Sequence, residues 1–479
     1  MATSSIETAN GLVTFHTAQG LAIRANLIRL TRHLAVFEIC GADAALRTSE
    51  VLEEFKIQAH GQTVYSGRAV VSSVVNATTL IVCEAKLEES GLNLVHIHAL
   101  RNGGKSLREH FGQFTERWQS YYRVRPDFKA VVGDMQCFLS ELRVWLDQIE
   151  LDVKSSPAPM QQEVERRVLD ELATSVIGAI DSFIGRFEEL AVHVEPDIEP
   201  IYRAYLRRQL HPLILSSPFA YRTFHKPLGY AGDYEMVDMM IREPYEGSTL
   251  FAKAINIWLY GQAPAQAHRN RVEYLEQKLF EQAVKAHGRK RPARVYNLGC
   301  GPAAEIQRML RNHSLCEELD FTLLDFNQET LDHGSKTLQA VREQCGRSTP
   351  MRFLKKSVQQ ILKEGRRAAP RSPNEMFDLV YCAGLFDYLS DSVCKLLMNI
   401  LYDMVAPGGL LVATNVSDAM NRTRPFRFSM EYLLDWHLIY RDGVQLGALT
   451  PDGAEPYTTV VAEDIGVNVM IEVKKPVDG

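Results

Sequence analysis

The chain has 479 residues, of which 46% are hydrophobic and 23% charged, and a formal net charge of −6. Such totals describe a folded chain of roughly three domains and exclude a disordered one. The negative balance argues against broad nucleic-acid binding, which needs a basic field to neutralise phosphates. No apolar run reaches the roughly 20 residues that span a bilayer, and the opening "MATSSIETANGLVTF" has neither a basic nor an apolar leader region, so the expected location is cytoplasmic. Eight cysteines without a C-x-x-C pair, several inside apolar stretches, suit reduced thiols rather than a zinc site.

Residues 11 to 100 carry closely spaced β-type runs, "LAVFEIC", "FKIQAHG", "TVYSGRAVVSSVV" and "TTLIVCEAKL", with turn signals at Gly41-Ala42-Asp43, His60-Gly61 and Asn76. This spacing predicts a small barrel or sandwich over 1–104. Ser106 and Glu109 then make a capping-box pattern, followed by Phe111, Phe114, Trp118 and Tyr121 at helical spacing. Helices are expected over 105–290. After "SSPAP", Val164, Val168, Leu172, Val176, Ile180, Phe183 and Phe187 mark one face of a long amphipathic helix, suited to a bundle core or a homodimer interface. The stretch "FHKPLGYAGDYEMVDMM", 224 to 240, interrupts the helical pattern with a proline and two glycines, and predicts an ordered loop closing over a substrate. The basic run "HGRKRPAR", 287 to 294, reads as a solvated connector.

Over 291–479 strands alternate with helices: "RVYNLG", "LDFTLLDF", "MRFLKKS", "MFDLVYCAG" and "GGLLVATNV". The βαβ alternation predicts an α/β fold with a mainly parallel, doubly wound sheet. "WHLIYRDGVQLGALT" and "NVMIEVKK" are strand-rich with little room for a final helix, and predict an antiparallel closing pair.

The first of these strands runs into "VYNLGCGPAAEIQRML", which reads as strand, glycine turn and helix. Gly299 and Gly301 permit backbone angles closed to other residues and let a nucleotide approach, although Ala304 replaces the third glycine of the dinucleotide fingerprint. Asp325 ends the second strand, where a carboxylate accepts hydrogen bonds from ribose hydroxyls. Its spacing suits a dinucleotide and S-adenosylmethionine equally.

Taken in order, Gly299-Cys300-Gly301, Asp325, Phe377-Asp378-Leu379-Val380 and Pro407-Gly408-Gly409 resemble the class I S-adenosylmethionine-dependent methyltransferases. The resemblance implies a Rossmann-like sheet, S-adenosylmethionine as cofactor, Gly299, Cys300 and Gly301 at its methionine portion and Asp325 on its ribose. Asn297, Phe326, Ser357, Val358 and Ala383 are the further cofactor-site candidates. The acid often found after the third strand of that family is absent; "KKSVQQI" offers Ser357 and Val358 instead. "KPLGYAGDYEM" together with this segment resembles the bacterial extracellular-factor methyltransferases, which implies carboxyl O-methylation of a 3-hydroxy fatty acid or acyl group to a methyl ester quorum-sensing signal. The first region is similar to PilZ-type domains. Arg24 and Arg29 stand five apart and "LRTSEVL" lacks the leading acid or amide and the glycine of the ligand motif, so the resemblance implies a degenerate, structural barrel.

Methyl transfer from a sulfonium is an in-line displacement, so the protein must align the nucleophile and exclude water. A carboxylate is already ionised at neutral pH and needs orientation by a cation; an amine or phenol needs a base. Arg422, Arg424 and Arg427 of "NRTRPFRF" are the candidate cations, and His225, Tyr230, Asp233 and His437 the candidate substrate or acid–base groups. Methylation of another small molecule, with His225 or Asp233 as base, stays open, as does a catalytically idle fold reporting nucleotide binding. No metal-ligand constellation stands out.

Overall fold

The computed structural model describes residues 11–477 apart from 19, 32, 41–45, 60–61, 78–79, 89–110, 113–114, 117, 120–122, 290, 366–371, 373–374 and 418–424. Period-two burial shapes its first region. Strand β1 (Gly11–His16) buries every second residue, and β2 (Ala22–Leu30), β3 (Leu34–Cys40), β4 (Val51–Ala59), β5 (Gln62–Ala77) and β6 (Leu80–Leu87) join it in a closed barrel of order β1-β2-β3-β6-β5-β4. Phe15, Phe37 and Phe55 fill it, with ring centroids 5.4 to 5.8 Å apart. Closure removes the open sheet edges that would otherwise invite aggregation. Asn76, expected in a turn, lies inside β5; the other two turn signals and the Ser106–Glu109 capping box lie outside the described residues.

Two long helices follow, α1 (Pro126–Ser155) and α2 (Ala158–Ala191), then α3 (Glu199–Ile214), α4 (Pro218–His225), α5 (Tyr234–Met239), α6 (Leu250–Tyr260) and α7 (Ala263–Ala286). Phe128, Val131, Val132, Met135, Leu139, Leu142 and Leu146 recur at helical spacing along α1 and bury against Val176, Ile180, Ile184 and Phe187 of α2. The predicted stripe of α2 therefore faces the bundle. The same core takes in Phe426, Met430, Tyr432, Leu433 and Trp436 from the C-terminal region. Glu188 pins the junction, its carboxylate accepting from Phe428 N–H at 3.0 Å and Ser429 N–H at 2.7 Å.

The last region is a seven-stranded sheet of order β12-β13-β11-β10-β7-β8-β9. Its strands are β7 (Ala293–Leu298), β8 (Leu319–Asp325), β9 (Met351–Lys355), β10 (Phe377–Cys382), β11 (Val405–Val416), β12 (Thr458–Ala462) and β13 (Asn468–Lys474). The first five are parallel, while β13 runs antiparallel to both β11 and β12. Helices α8 (Ala304–Asn312), α9 (Gln328–Gln344), α10 (Val358–Gly365) and α11 (Asp391–Asp403) intervene, followed by the short α12 (Arg427–Leu433) and α13 (Gly443–Gly447). Hydrophobic clusters cover both faces, one of them completed by Leu275, Leu279 and Ala283 of α7. This is the doubly wound, Rossmann-like fold expected of the methyltransferase sheet. The order of strand addition reverses between β7 and β10, and ligands of such sheets bind in the crevice outside the strand ends at that switch point.

One strand expectation is corrected. Residues 436–442 form no strand, and the closing pair is β12 with β13. Both edges of β11 are taken, by β10 and β13, so this segment has no place beside it. It is held by isolated contacts instead: Ile439 and Arg441 N–H donate to Asp387 O and Val416 O at 2.7 and 3.0 Å, and the buried Arg441 side chain donates to the carbonyls of Phe386 and Leu389 at 2.8 and 2.6 Å and to Asn415 Oδ1 at 2.7 Å.

Candidate functional site

A cavity opens at the switch point. The glycine turn after β7 lies on one side, with Gly299 at φ +73° and Gly301 at φ +51°. A side chain at Gly301 would project into open space, which leaves the backbone bare toward a ligand. Asp325 ends β8 beside it, buried, and accepts from Asn327 N–H at 2.9 Å and from Gly301 N–H at 3.4 Å. Burial pushes its carboxyl above the usual range, opposed by the Asn327 hydrogen bond and the charge of Arg47.

Asn297, Gly299, Cys300, Gly301, Asp325, Phe326, Val358 and Ala383 all line this cavity. Asn297 is held from behind, its amide donating to Tyr381 Oη at 2.9 Å and to Glu305 Oε1 at 3.2 Å, while Tyr381 Oη donates to the same oxygen at 2.7 Å. Its own Oδ1 has no hydrogen-bond partner. A buried carbonyl left in that condition suits an incoming ligand donor. Burial raises the Cys300 thiol well above its ordinary range and leaves it unreactive. Ser357 does not line the cavity; its hydroxyl and amide exchange hydrogen bonds with Gln360 at the start of α10, and its neighbours Lys356 and Val358 take the wall.

The predicted ordered loop is an eight-residue turn between two helices, shorter than 224–240 because Asp233 caps α5 by accepting from Met236 N–H at 2.9 Å. Tyr230, Ala231 and Gly232 line the cavity. Gly229, at φ +81°, accepts from Val51 N–H of the barrel at 2.7 Å. A Cβ on Gly232, at φ +74°, would stand 2.6 Å from Tyr388 Oη. The turn is thereby clamped between the barrel and the loop after β10.

The expected catalytic residues divide. Tyr230 is in the cavity, its ring 4.9 Å from that of Phe326 and its hydroxyl 3.3 Å from Thr330 Oγ1. Asp233 is structural, buried with Arg222 Nε donating to it at 2.9 and 3.2 Å. His225 stacks on Tyr221 and faces a different cavity. His437, buried, lies 3.5 Å from Asp435 and is likewise absent from the site. Arg422 and Arg424 fall outside the described residues, and Arg427 pairs with Glu431 at 2.9 Å away from the cavity.

Other residues supply the polar groups. Arg47 and Thr48 reach in from the barrel, with the Arg47 guanidinium 4.1 Å from the Phe326 ring centroid. Helix α7 contributes His268 and Arg271 three residues apart on one face. Arg271 donates to His268 Nδ1 at 2.7 Å. An arginine is always a donor, so Nδ1 is the acceptor and the imidazole proton sits on Nε2, which has no partner. Burial, and then the charges of Arg271 and Arg269, hold His268 well below its ordinary pKa. It is a neutral donor, not a base. Asn468 donates to Ala267 O at 3.0 Å and keeps its own Oδ1 unpartnered. Met236, Val237, Met240, Met430, Trp436 and Leu438 complete an apolar chamber around these groups.

Among the described residues no cluster of potential metal ligands occurs, and no helix is long and apolar enough to cross a membrane. No family model and no curated protein matches the chain. Among solved structures, a possible exported protein from Bordetella parapertussis aligns with 67% of this chain and 100% of its own, at 17% identity and TM-score 0.42. Magnesium protoporphyrin IX methyltransferase from Synechocystis PCC 6803, solved with bound S-adenosylmethionine, aligns with 44% of this chain and 81% of its own, at 10% identity and TM-score 0.30. The N-methyltransferase NodS from Bradyrhizobium japonicum WM9 aligns with 43% and 98%, at 14% identity and TM-score 0.28.

Proposed function

We propose that this chain is an S-adenosylmethionine-dependent methyltransferase that methylates the carboxyl oxygen of a 3-hydroxy fatty acid or acyl group, giving a methyl ester signal. One observation carries the reading: the glycine turn and Asp325 share a cavity with an apolar chamber in which the unpartnered neutral groups of His268 and Asn468 stand with Arg271. The residues fit the cofactor. Gly299 and Gly301 leave room for it, Asn297 Oδ1 is an unfilled acceptor for its amino group, and Asp325 takes the ribose hydroxyls. When bound it supplies an electrophilic methyl group on a sulfonium.

The chain's own residues then orient and desolvate the acceptor. A carboxylate needs no proton removed, which agrees with a site whose histidine has its only lone pair committed to Arg271. His268 Nε2–H and Asn468 Oδ1 form a donor and an acceptor, the pair a hydroxyl group requires. Arg271 supplies the positive charge that a carboxylate seeks. The methionines and Trp436 cover the hydrocarbon chain and keep water out.

The test is calorimetric titration with S-adenosylmethionine and S-adenosylhomocysteine, followed by mass spectrometry of turnover on a panel of 3-hydroxy fatty acids and their carrier-linked forms. Binding plus a methyl-sized mass gain on one member is the expected result. Binding without any gain removes the acyl substrate and keeps the cofactor; no binding removes both.

A further inference from the structure

A second cavity, of about 590 Å³, lies between the barrel, α3 and the end of α4. Its wall is basic: Arg68 and Lys86 come from β5 and β6, Arg203, Arg207 and Arg208 from α3, with His33 and His225 at the sides and only Glu88 and Asp435 as carboxylates. Arg24 and Arg29 stand exposed on β2 and take no part.

The buried charges around this cavity do not balance. Lys86 and Arg203 share Glu199, at 3.2 and 2.9 Å; Arg207 and Lys226 share Asp435, at 2.9 and 3.7 Å. Nearby Glu431 is held by Arg427, so counting that pair changes nothing. Four enclosed cations therefore divide two carboxylates among the described residues, while Arg68 has Glu88 to itself at 2.8 Å. An uncompensated buried charge is costly, and the protein meets it by losing protons or by binding a counter-charge. Burial, reinforced for Lys86 by the charge of Arg203, brings Lys86 and Lys226 each down to about 8, so both remain largely charged at neutral pH.

The wall is also built in advance. Arg68 Nη2 is fixed by the carbonyls of Phe224 and His225, each at 3.2 Å, and Arg207 Nε by Tyr432 O at 2.6 Å. Lys226 and Asp435, which bridge behind it, both adopt the left-handed backbone, at φ +47° and +54°, a conformation that side chains other than glycine's take only when held.

We infer that this second cavity is a binding site for a phosphate-class polyanion, held between Arg68 and Lys86 of the barrel and Arg203, Arg207 and Arg208 of α3. Guanidinium forks and an ammonium arranged around a cleft of this size match a diphosphate, free or carried by a nucleotide. The site is separate from the methyl-transfer cavity and does not depend on the reading of that cavity.

The experiment is calorimetric titration of the full chain with inorganic pyrophosphate and with adenosine diphosphate at constant ionic strength, in the presence and absence of S-adenosylhomocysteine. Saturable binding at one site that S-adenosylhomocysteine does not displace is expected. Arg208→Glu, at an exposed position that leaves the buried pairs intact, and Lys86→Met should each weaken it about tenfold, as expected when one charged contact is lost. Tighter adenosine diphosphate than pyrophosphate would assign a nucleotide; the reverse would assign a free diphosphate. Absence of saturable binding by both probes, displacement by S-adenosylhomocysteine, or unchanged affinity in a folded Arg208→Glu variant would each overturn the inference.

Discussion

The two cavities are a few residues apart along the chain and opposite in character. The one at the sheet switch point has apolar walls of methionine, valine and tryptophan, with buried neutral groups, Asn297, His268 and Asn468, left with an unmade hydrogen bond. The one under the barrel has cations in excess and a smaller apolar lining, from Val70, Leu87 and Phe224. The first selects by shape and by hydrogen bonds that must be completed; the second selects by charge. Fold topology places the first, because any doubly wound sheet opens a crevice where its strand order reverses. Nothing in the sheet places the second, which exists because three separate chain segments bring arginines and lysines to one junction.

That contrast can be broken most severely at the glycine turn. Gly301→Arg puts a large cation into the open space beside a residue at φ +51°, and should cost S-adenosylhomocysteine affinity about a hundredfold or more by calorimetry, while leaving pyrophosphate binding alone. Asp325→Ala removes the acceptor proposed for ribose hydroxyls and strands two backbone N–H groups, an effect of about ten- to a hundredfold on the same affinity. Unaltered binding in both folded variants would refute the cofactor assignment.

Salt sharpens the contrast without any mutation. Raising ionic strength should weaken pyrophosphate binding about tenfold and change S-adenosylhomocysteine binding about twofold at most, since screening acts on charge pairs rather than on shape. Arg47→Ala tests the barrel's share in the first cavity; losing the contact with Phe326 should cost about three- to tenfold in cofactor affinity. The smallest expected effect is that of pH on turnover. Burial holds His268 well below its ordinary pKa, so kcat/KM for the acid should show no limb in the usual histidine range that disappears in His268→Gln.

Much of the first cavity was legible in the sequence. The glycine turn and Asp325 are local signals, each set by a backbone requirement or a strand end, and six of the eight cofactor candidates that line the cavity sit within two residues of such an end. The failures share a cause. Arg47 lies in a barrel loop more than two hundred residues upstream, and His268 and Arg271 sit on a helix whose composition reads as surface; only their position among Ala263, Ala267, Val272 and Leu275 on the buried face marked them. His225 and Asp233 stand in an unusual stretch and His437 in an expected strand, yet each completes a structural bond to a neighbour: Tyr221, Arg222 and Asp435. "WHLIYRD" alternates like a strand, but its alternate polar residues are buried to hold distant chain, a pattern that periodicity cannot distinguish from pairing.

The Lys226–Asp435 bridge has a consequence for how the two cavities communicate. From Lys226 the chain reaches Tyr230 in the first cavity within four residues, and from Asp435 it reaches Trp436 in one. An occupant on either side that shifted this pair would act on both cavities. Thermodynamic reciprocity then fixes the sign and the size together: whatever factor a polyanion imposes on cofactor affinity, the cofactor imposes on the polyanion.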